Sequence, residues 1–192
     1  MTAEHNGAFS HTFTARKRWA VDPDLWRALL AVLPDETTRI VDLGAGIGRY
    51  VQALAEQGHF AAGVDGTPGI TSLSGGRVLE YDLTKLIRWN PPAQWALCIE
   101  VGEHIPPAHE DIFLDNLATA ATAGLIVSWA PPGQRGRDHV NCQTPTWVRQ
   151  RLATRGWELD AERTALAQQT AGGGWAKKLQ VFRRESTNKG AQ

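Results

Sequence analysis

Residues 40–48, Ile-Val-Asp-Leu-Gly-Ala-Gly-Ile-Gly, leave the chain few architectures to choose from. A short apolar run ends at Asp42, glycines follow at 44, 46 and 48, and a helical pattern begins near Arg49. Residues without a Cβ let a strand turn sharply into a helix and let backbone approach a bound molecule closely. In open α/β sheets such a turn, opening on a helix N-terminus, receives a nucleoside-like ligand. The spacing is G-x-G-x-G preceded by an acid. A dinucleotide fingerprint would set its third glycine one position later, where Arg49 stands.

The remaining chain alternates between helical and extended patterns. Asp22-Pro23 starts a helix that carries Leu25, Trp26, Leu29, Leu30 and Leu33 at helical spacing up to Pro34. Residues 39–43 read as a buried strand, Tyr50 to Ala55 as a helix closed by Gly58, and Phe60 to Val64 as a second strand ending in Asp65-Gly66. A turn-rich stretch over 67–76 precedes a short strand from Val78 to Asp82. Trp95 to Ile99 and Leu125 to Trp129 are further strands, with an amphipathic helix from Ile112 to Ala121 between them. Residues 131–144 are rich in Pro, Gly and charge and read as a long loop, followed by a helix over 146–154. Two extended runs, 157–159 and 179–182, are expected to be joined by a loop and to pair antiparallel at one edge. Short apolar strands alternating with helices argue for a mostly parallel sheet covered on both faces.

At 192 residues the chain suits one well-cored domain. We expect an N-terminal arm or lid over 1–21, carrying His11, Phe13 and Trp19, one domain over 22–184, and a flexible tail from 185. Lys plus Arg and Asp plus Glu both number 20, so no overall field draws the chain to nucleic acid, which is not the expected partner. No apolar run approaches the roughly 20 residues that span a bilayer, and Met1 to Ser10 lacks a signal-peptide core, so the cytoplasm is the expected location. Cys98 and Cys142 have different contexts and form no C-x-x-C pair, which argues against a disulfide framework. The sequence sets no oligomeric state.

Two acids close successive strands. Asp65 is placed to accept the ribose hydroxyls of a nucleoside held over the glycine turn; an ordinary Asp-Gly turn has the same sequence. Asp82, in Tyr-Asp-Leu-Thr, follows the third strand. Glu100, Glu103 and His104 have i, i+3, i+4 spacing, so a helical turn would project them to one side, as two carboxylates and an imidazole able to bind a divalent ion. His139 and Asn141 lie in the loop after the fifth strand.

The acid-preceded glycine motif, the order of elements over residues 20–183 and Cys-Ile-Glu-Val-Gly-Glu-His-Ile-Pro-Pro at 98–107 together resemble the class I S-adenosylmethionine-dependent methyltransferases. The resemblance implies a Rossmann-like seven-stranded, mostly parallel sheet with an antiparallel edge strand and helices on both faces. It implies S-adenosylmethionine as cofactor, with Gly44, Gly46 and Gly48 forming the turn beneath it and Asp42 at its methionine end. Asp65 and Gly66 would take the ribose, Asp82 the adenine amino group, the Leu83 amide a ring nitrogen, and Glu100 the cofactor side of the acceptor pocket.

Glu-x-x-Glu-His with a later histidine is also similar to the metal sites of the ubiquinone-biosynthesis O-methyltransferases and of the small-RNA 2′-O-methyltransferases. On that pattern Glu100, Glu103, His104 and His139 would hold a divalent cation. Glu-His at this place is equally widespread in the resembling family without a metal, and Glu103 or His104 would then cap and pack. The implied reaction is methyl transfer to an O or N atom of a small-molecule acceptor, with His139, His104 or Glu103, in that order, as base. The competing readings are a nicotinamide-dependent oxidoreductase, disfavoured by the third glycine and Asp82, and a non-catalytic partner that only holds the cofactor.

Overall fold

The computed structural model describes residues 6–8, 20–36 and 38–185. Of the expected N-terminal arm only residues 6–8 and 20–21 are among them. His11, Phe13 and Trp19, and the tail beyond 185, lie outside the described residues.

Helix α1 (Pro23–Val32) begins where Asp22 accepts hydrogen bonds from the Asp24 and Leu25 amides, with proline in the first turn. It is followed by β1 (Arg39–Leu43), α2 (Arg49–Glu56), β2 (Phe60–Asp65), the short α3 (Ile70–Leu73), β3 (Val78–Glu80) and β4 (Ala93–Ile99). Two 3₁₀ turns, Gly102–His104 and Pro107–His109, lead into α4 (Glu110–Ala120), which passes directly into β5 (Ala121–Ser128). The chain ends with α5 (Pro145–Ala153), β6 (Trp157–Leu159), α6 (Ala161–Ala171), a 3₁₀ turn at Trp175–Lys177, and β7 (Gln180–Arg184).

The strands form one seven-stranded sheet in the order β3-β2-β1-β4-β5-β7-β6. β1 to β5 are parallel, and β7 runs antiparallel to both β5 and β6. The antiparallel strand therefore lies one place in from the edge, which β6 occupies.

One expectation is overturned. Residues 161–171 form an eleven-residue helix, not a loop. Asp160 caps it by accepting from the Arg163 amide, and Gly172 with φ 64° follows it. Its inward face is built of Thr164, Ala167 and Ala171, too small and too polar to leave a helical apolar period in the sequence.

Side chains alternate strictly between two cores. Val41, Ala96, Cys98, Leu125, Val127 and Phe182 face α4 and α5, while Ile40, Leu97, Ile126 and Val181 face α1 and α6. Burial on both faces explains why these strands read as continuous apolar runs. Cys98 and Cys142 are both free thiols. Trp157 is 1% exposed and donates its indole N–H to the Ala118 carbonyl at 3.0 Å, locking β6 to the end of α4. Trp157→Ala is expected to lower stability by about 3–5 kcal/mol, read from the urea midpoint at constant m-value. No helix among the described residues is long and apolar enough to cross a membrane.

β1 pairs with β2 on one side and β4 on the other, so the connections leave the sheet in opposite directions here. A crevice opens at such a point, beyond the carboxyl ends of the strands.

Candidate functional site

A cavity of about 470 Å³ fills this crevice, within the usual range for a small-ligand site. β1 and the turn after it contribute Asp42, Gly44, Ala45 and Gly46; β2 contributes Asp65; β4 contributes Ile99 and, just beyond its end, Glu100. Glu103, His104, Gly136, Arg137 and His139 close one side, and Asp22, Tyr50 and Trp175 another. Five of these lining side chains are carboxylates and two are guanidinium groups (Arg49 and Arg137).

The three motif glycines do different work. Gly44 has φ 75°, and a Cβ there would stand 2.4 Å from a Val101 methyl. At Gly48 (φ 77°) a Cβ would meet Val78 at 2.9 Å, so this glycine seats the start of α2 against β3 and is not among the cavity-lining residues. Gly46 (φ 53°) has no heavy atom within 4 Å of its Cβ position: the space is open on the cavity side. Gly46→Val is therefore expected to leave the core intact, at a cost of roughly 1–2 kcal/mol for the left-handed backbone, while blocking whatever ligand the turn receives. A melt and a ligand titration together check this.

Asp42 lies mid-sheet, opposite Gly63 of β2 and Leu97 of β4, and is 4% exposed. Its carboxylate accepts no hydrogen bond among the described residues. Burial, reinforced by the nearby Asp65 charge, pushes its pKa up to about 8. Asp65 accepts from the Gly46 amide (2.9 Å) and the Thr67 amide (2.8 Å), tying the glycine turn to the end of β2.

A second, smaller cavity of about 60 Å³ adjoins the first, lined by Asp65, Gly66, Leu83 and Val101 and covered by Asn6, Gly7 and Ala8. Asp82 lines neither cavity. One of its carboxylate oxygens instead accepts from the Thr84 amide (2.9 Å) and the Thr84 hydroxyl (2.6 Å), a turn that any Asp-x-Thr segment can make.

The helical turn expected across 100–104 is absent, because Glu100 adopts φ 55° and only Gly102–His104 winds, as a 3₁₀ turn. Glu100 is thereby separated from Glu103 and His104. One of its oxygens accepts from the Ser128 hydroxyl at 2.8 Å; the other takes the Gln134 amide at 3.1 Å and pairs with Lys178. Its carboxylate is a strut joining β4, β5, the 131–144 loop and the approach to β7, which removes it from the expected set of metal ligands.

Glu103, His104 and His139 do converge: one ligand atom from each lies within 4.8 Å of the others. The backbone explains how. The Glu103 carbonyl accepts from both the Val140 and Asn141 amides at 2.9 Å, which pins the loop bearing His139 onto the 3₁₀ turn. The two imidazoles meet edge-on, centroids 5.0 Å apart.

Nδ1 of His104 contacts the Asp138 carbonyl and Nδ1 of His139 the Gln134 carbonyl, each at 3.2 Å. A carbonyl only accepts, so both Nδ1 atoms carry the proton and both Nε2 atoms present lone pairs. Burial also holds His104 below the usual histidine range, which favours its neutral form. Glu103 is 0% exposed, and neither carboxylate oxygen has a hydrogen-bond partner. Burial, with the Glu100 charge, lifts its pKa to about 8; the nearby Glu103 and Ala130 amides, which fall outside hydrogen-bond geometry, and the Lys178 charge offset part of the rise. Above about pH 8 Glu103 is ionised and faces the two imidazoles as a carboxylate; below that pH its carboxyl proton can be donated to one of them.

Tyr50, Trp175, Lys178 and Gln134 join the site without any motif that marks them in the sequence. Tyr50 has the spacing of a helical core position, yet its hydroxyl accepts from the Asp22 amide at 3.0 Å on the cavity wall. The aromatic ring after Gly172-Gly173-Gly174 was the available signal for Trp175, whose indole reaches Asp22 at 3.4 Å.

No protein-family model matches the chain, and no curated protein matches its sequence. Solved structures do. The magnesium protoporphyrin IX methyltransferase ChlM from Synechocystis PCC 6803, with bound SAM, superposes with a TM-score of 0.62 at 18% identity, over 84% of this chain and 76% of that one. The sugar N-methyltransferase KedS8 from Streptoalloteichus sp ATCC 53650 gives 0.67 at 13% identity, over 91% and 92%. The [4+2]-cyclase SpnF gives 0.58 at 12%, over 89% and 85%, so the likeness does not by itself name a reaction. The chain is built on the Rossmann-like fold that these methyltransferases share.

Proposed function

We propose that this chain is an S-adenosylmethionine-dependent methyltransferase acting on an O or N atom of a small-molecule acceptor. The observation that carries this reading is Asp42, a buried carboxylate bordering the cavity without a hydrogen-bond donor, beside the open space over Gly46. A buried acid in that state is stabilised by a cation, and the methionine end of the cofactor brings an ammonium. The pyrophosphate of a nicotinamide dinucleotide would instead set negative charge beside Asp42 and Asp65, which disfavours the oxidoreductase reading.

The cofactor supplies an electrophilic methyl on sulfur. The chain's own residues hold and orient. Asp42 pairs with the ammonium, Asp65 exchanges its Gly46 bond for the ribose hydroxyls, and Gly66 with Leu83 borders the base. Fixing nucleophile and methyl in line is worth several kcal/mol of entropy that a dilute reaction would lose. The Nε2 lone pair of His139 is suited to accept the acceptor's proton.

Alternatively, Glu103, His104 and His139 fit a divalent cation, because a carboxyl group and two imidazoles offer ligand atoms within 4.8 Å of one another, and His139 would then hold the ion instead of taking the proton. Such an ion would lower the pKa of a coordinated hydroxyl.

Calorimetric titration with S-adenosylhomocysteine and with NAD separates the two cofactor readings. Binding of the first alone is expected, and binding of only the second sinks the proposal. Incubation with methyl-labelled cofactor and a panel of hydroxyl and amine acceptors then separates an enzyme from a holding partner. In that assay His139→Ala is expected to lower turnover by about 100-fold or more with the affinity for S-adenosylhomocysteine unchanged. Equal loss of both would remove His139 from the chemistry.

A further inference from the structure

The ring of His139 is held by its own loop, and one residue of that loop is defined by what it lacks. Gly136 has an ordinary backbone, with no left-handed φ to require glycine. A Cβ there would nevertheless stand 2.1 Å from Nε2, 2.3 Å from Cε1 and 2.5 Å from Cδ2 of His139. An atom lying along the in-plane lone pair of Nε2 would be much farther from Cε1 and Cδ2 than from Nε2. Near-equal distances put it over the face of the ring instead. The Cβ position of Gly136 therefore lies over one face of the imidazole and off the in-plane lone pair of Nε2.

The opposite nitrogen is fixed as well, since Nδ1 lies 3.2 Å from the Gln134 carbonyl. That carbonyl is anchored in turn: the Gln134 amide donates to Pro131 at 3.0 Å, and its side chain reaches Glu100 at 3.1 Å and Lys178 at 3.4 Å. The Cys142 thiol also lies 3.8 Å from Nδ1.

We propose that Gly136 and Gln134 are positioning residues for His139, a clamp that fixes both the plane of the imidazole and its Nδ1-protonated tautomer. The functional weight of the clamp rests on the role given to His139 above, but its existence does not. Any substituent at 136 must push the ring off the Gln134 carbonyl. Only a glycine leaves the space over this face of the ring free of a Cβ.

The test is the imidazole spectrum of the ¹⁵N-labelled full chain, with His139 assigned by its absence from His139→Ala. The native protein is expected to show His139 in the Nδ1–H form. Gly136→Ala is expected to abolish that pattern and give the mixed, exchanging signals of an exposed imidazole. Gly174→Ala, at a loop glycine with open space around its Cβ position and no positive φ, is expected to leave it intact. A native Nε2–H form, or an unchanged His139 pattern in Gly136→Ala, overturns the proposal.

Should Gly136→Ala fold poorly, its coupling to His139→Ala decides. Removing the ring vacates the space, so the double variant is expected to melt no lower than His139→Ala alone, and additive losses overturn the clamp. Failure of S-adenosylhomocysteine to bind the native chain would sink the functional reading and leave this result standing.

Discussion

Asp42→Asn is expected to weaken S-adenosylhomocysteine binding by at least about 30-fold, the loss that follows from removing one member of a desolvated charge pair. The same substitution is expected to make the ligand-free protein more stable at alkaline pH. Both outcomes follow from the burial that lifts the Asp42 pKa to about 8. In the unfolded chain this carboxyl ionises near 3.8, so between those values the folded state holds a proton that the unfolded state has released. Stability from this group is full below about pH 4 and is lost as pH rises through about 8.

At pH 9 the wild-type fold carries an uncompensated buried charge, which asparagine removes. A gain of a few degrees in melting temperature at pH 9, shrinking towards pH 5, is the expected signature. Ligand affinity runs the other way. A cationic ligand needs the ionised carboxylate, so affinity is expected to rise by about tenfold per pH unit from 6 to 8 in the native chain. Asp42→Asn should flatten that slope. Unchanged affinity with an unchanged pH slope would detach Asp42 from ligand binding.

The second large effect concerns Glu103. The native protein at pH 8 is expected to gain about 2.7 kcal/mol, or roughly 5–10 °C, from Mn²⁺ at 100 times its dissociation constant. Glu103→Gln should abolish that gain. Without the ion, Glu103 follows the same sign as Asp42. Its pKa is raised to about 8, so the ligand-free fold weakens as pH climbs through that value, and Glu103→Gln blunts the decline. A native protein whose melt ignores Mn²⁺, Mg²⁺ and Zn²⁺ alike would return Glu103, His104 and His139 to a metal-free role.

The sheet was legible because its strands are buried on both faces and the glycine turn follows the first of them. What escaped was decided by backbone detail that side-chain spacing does not encode. Helix α6 hides a face of threonine and alanine, so no apolar period announced it. Glu100 shares its spacing with two true neighbours, yet its left-handed φ breaks the turn that would have brought it to them. Asp82 has the sequence of a ligand contact and the geometry of a self-bonded turn. The meeting of His139 with Glu103 and His104 was implied by the family resemblance, but the two loop amides that reach the Glu103 carbonyl and produce it are disclosed by no pattern in 131–144.

The two walls of the crevice have different origins, and they therefore age differently. Asp42 and Asp65 stand on two neighbouring strands in the middle of the sheet, between the two cores. Gly136, Arg137 and His139 hang from a loop tied down by a few hydrogen bonds at its margins. Apart from Gly136, mutation can remodel the second wall at less cost to folding than the first. On the function proposed above, a lineage carrying this scaffold can vary its methyl acceptor while keeping its cofactor.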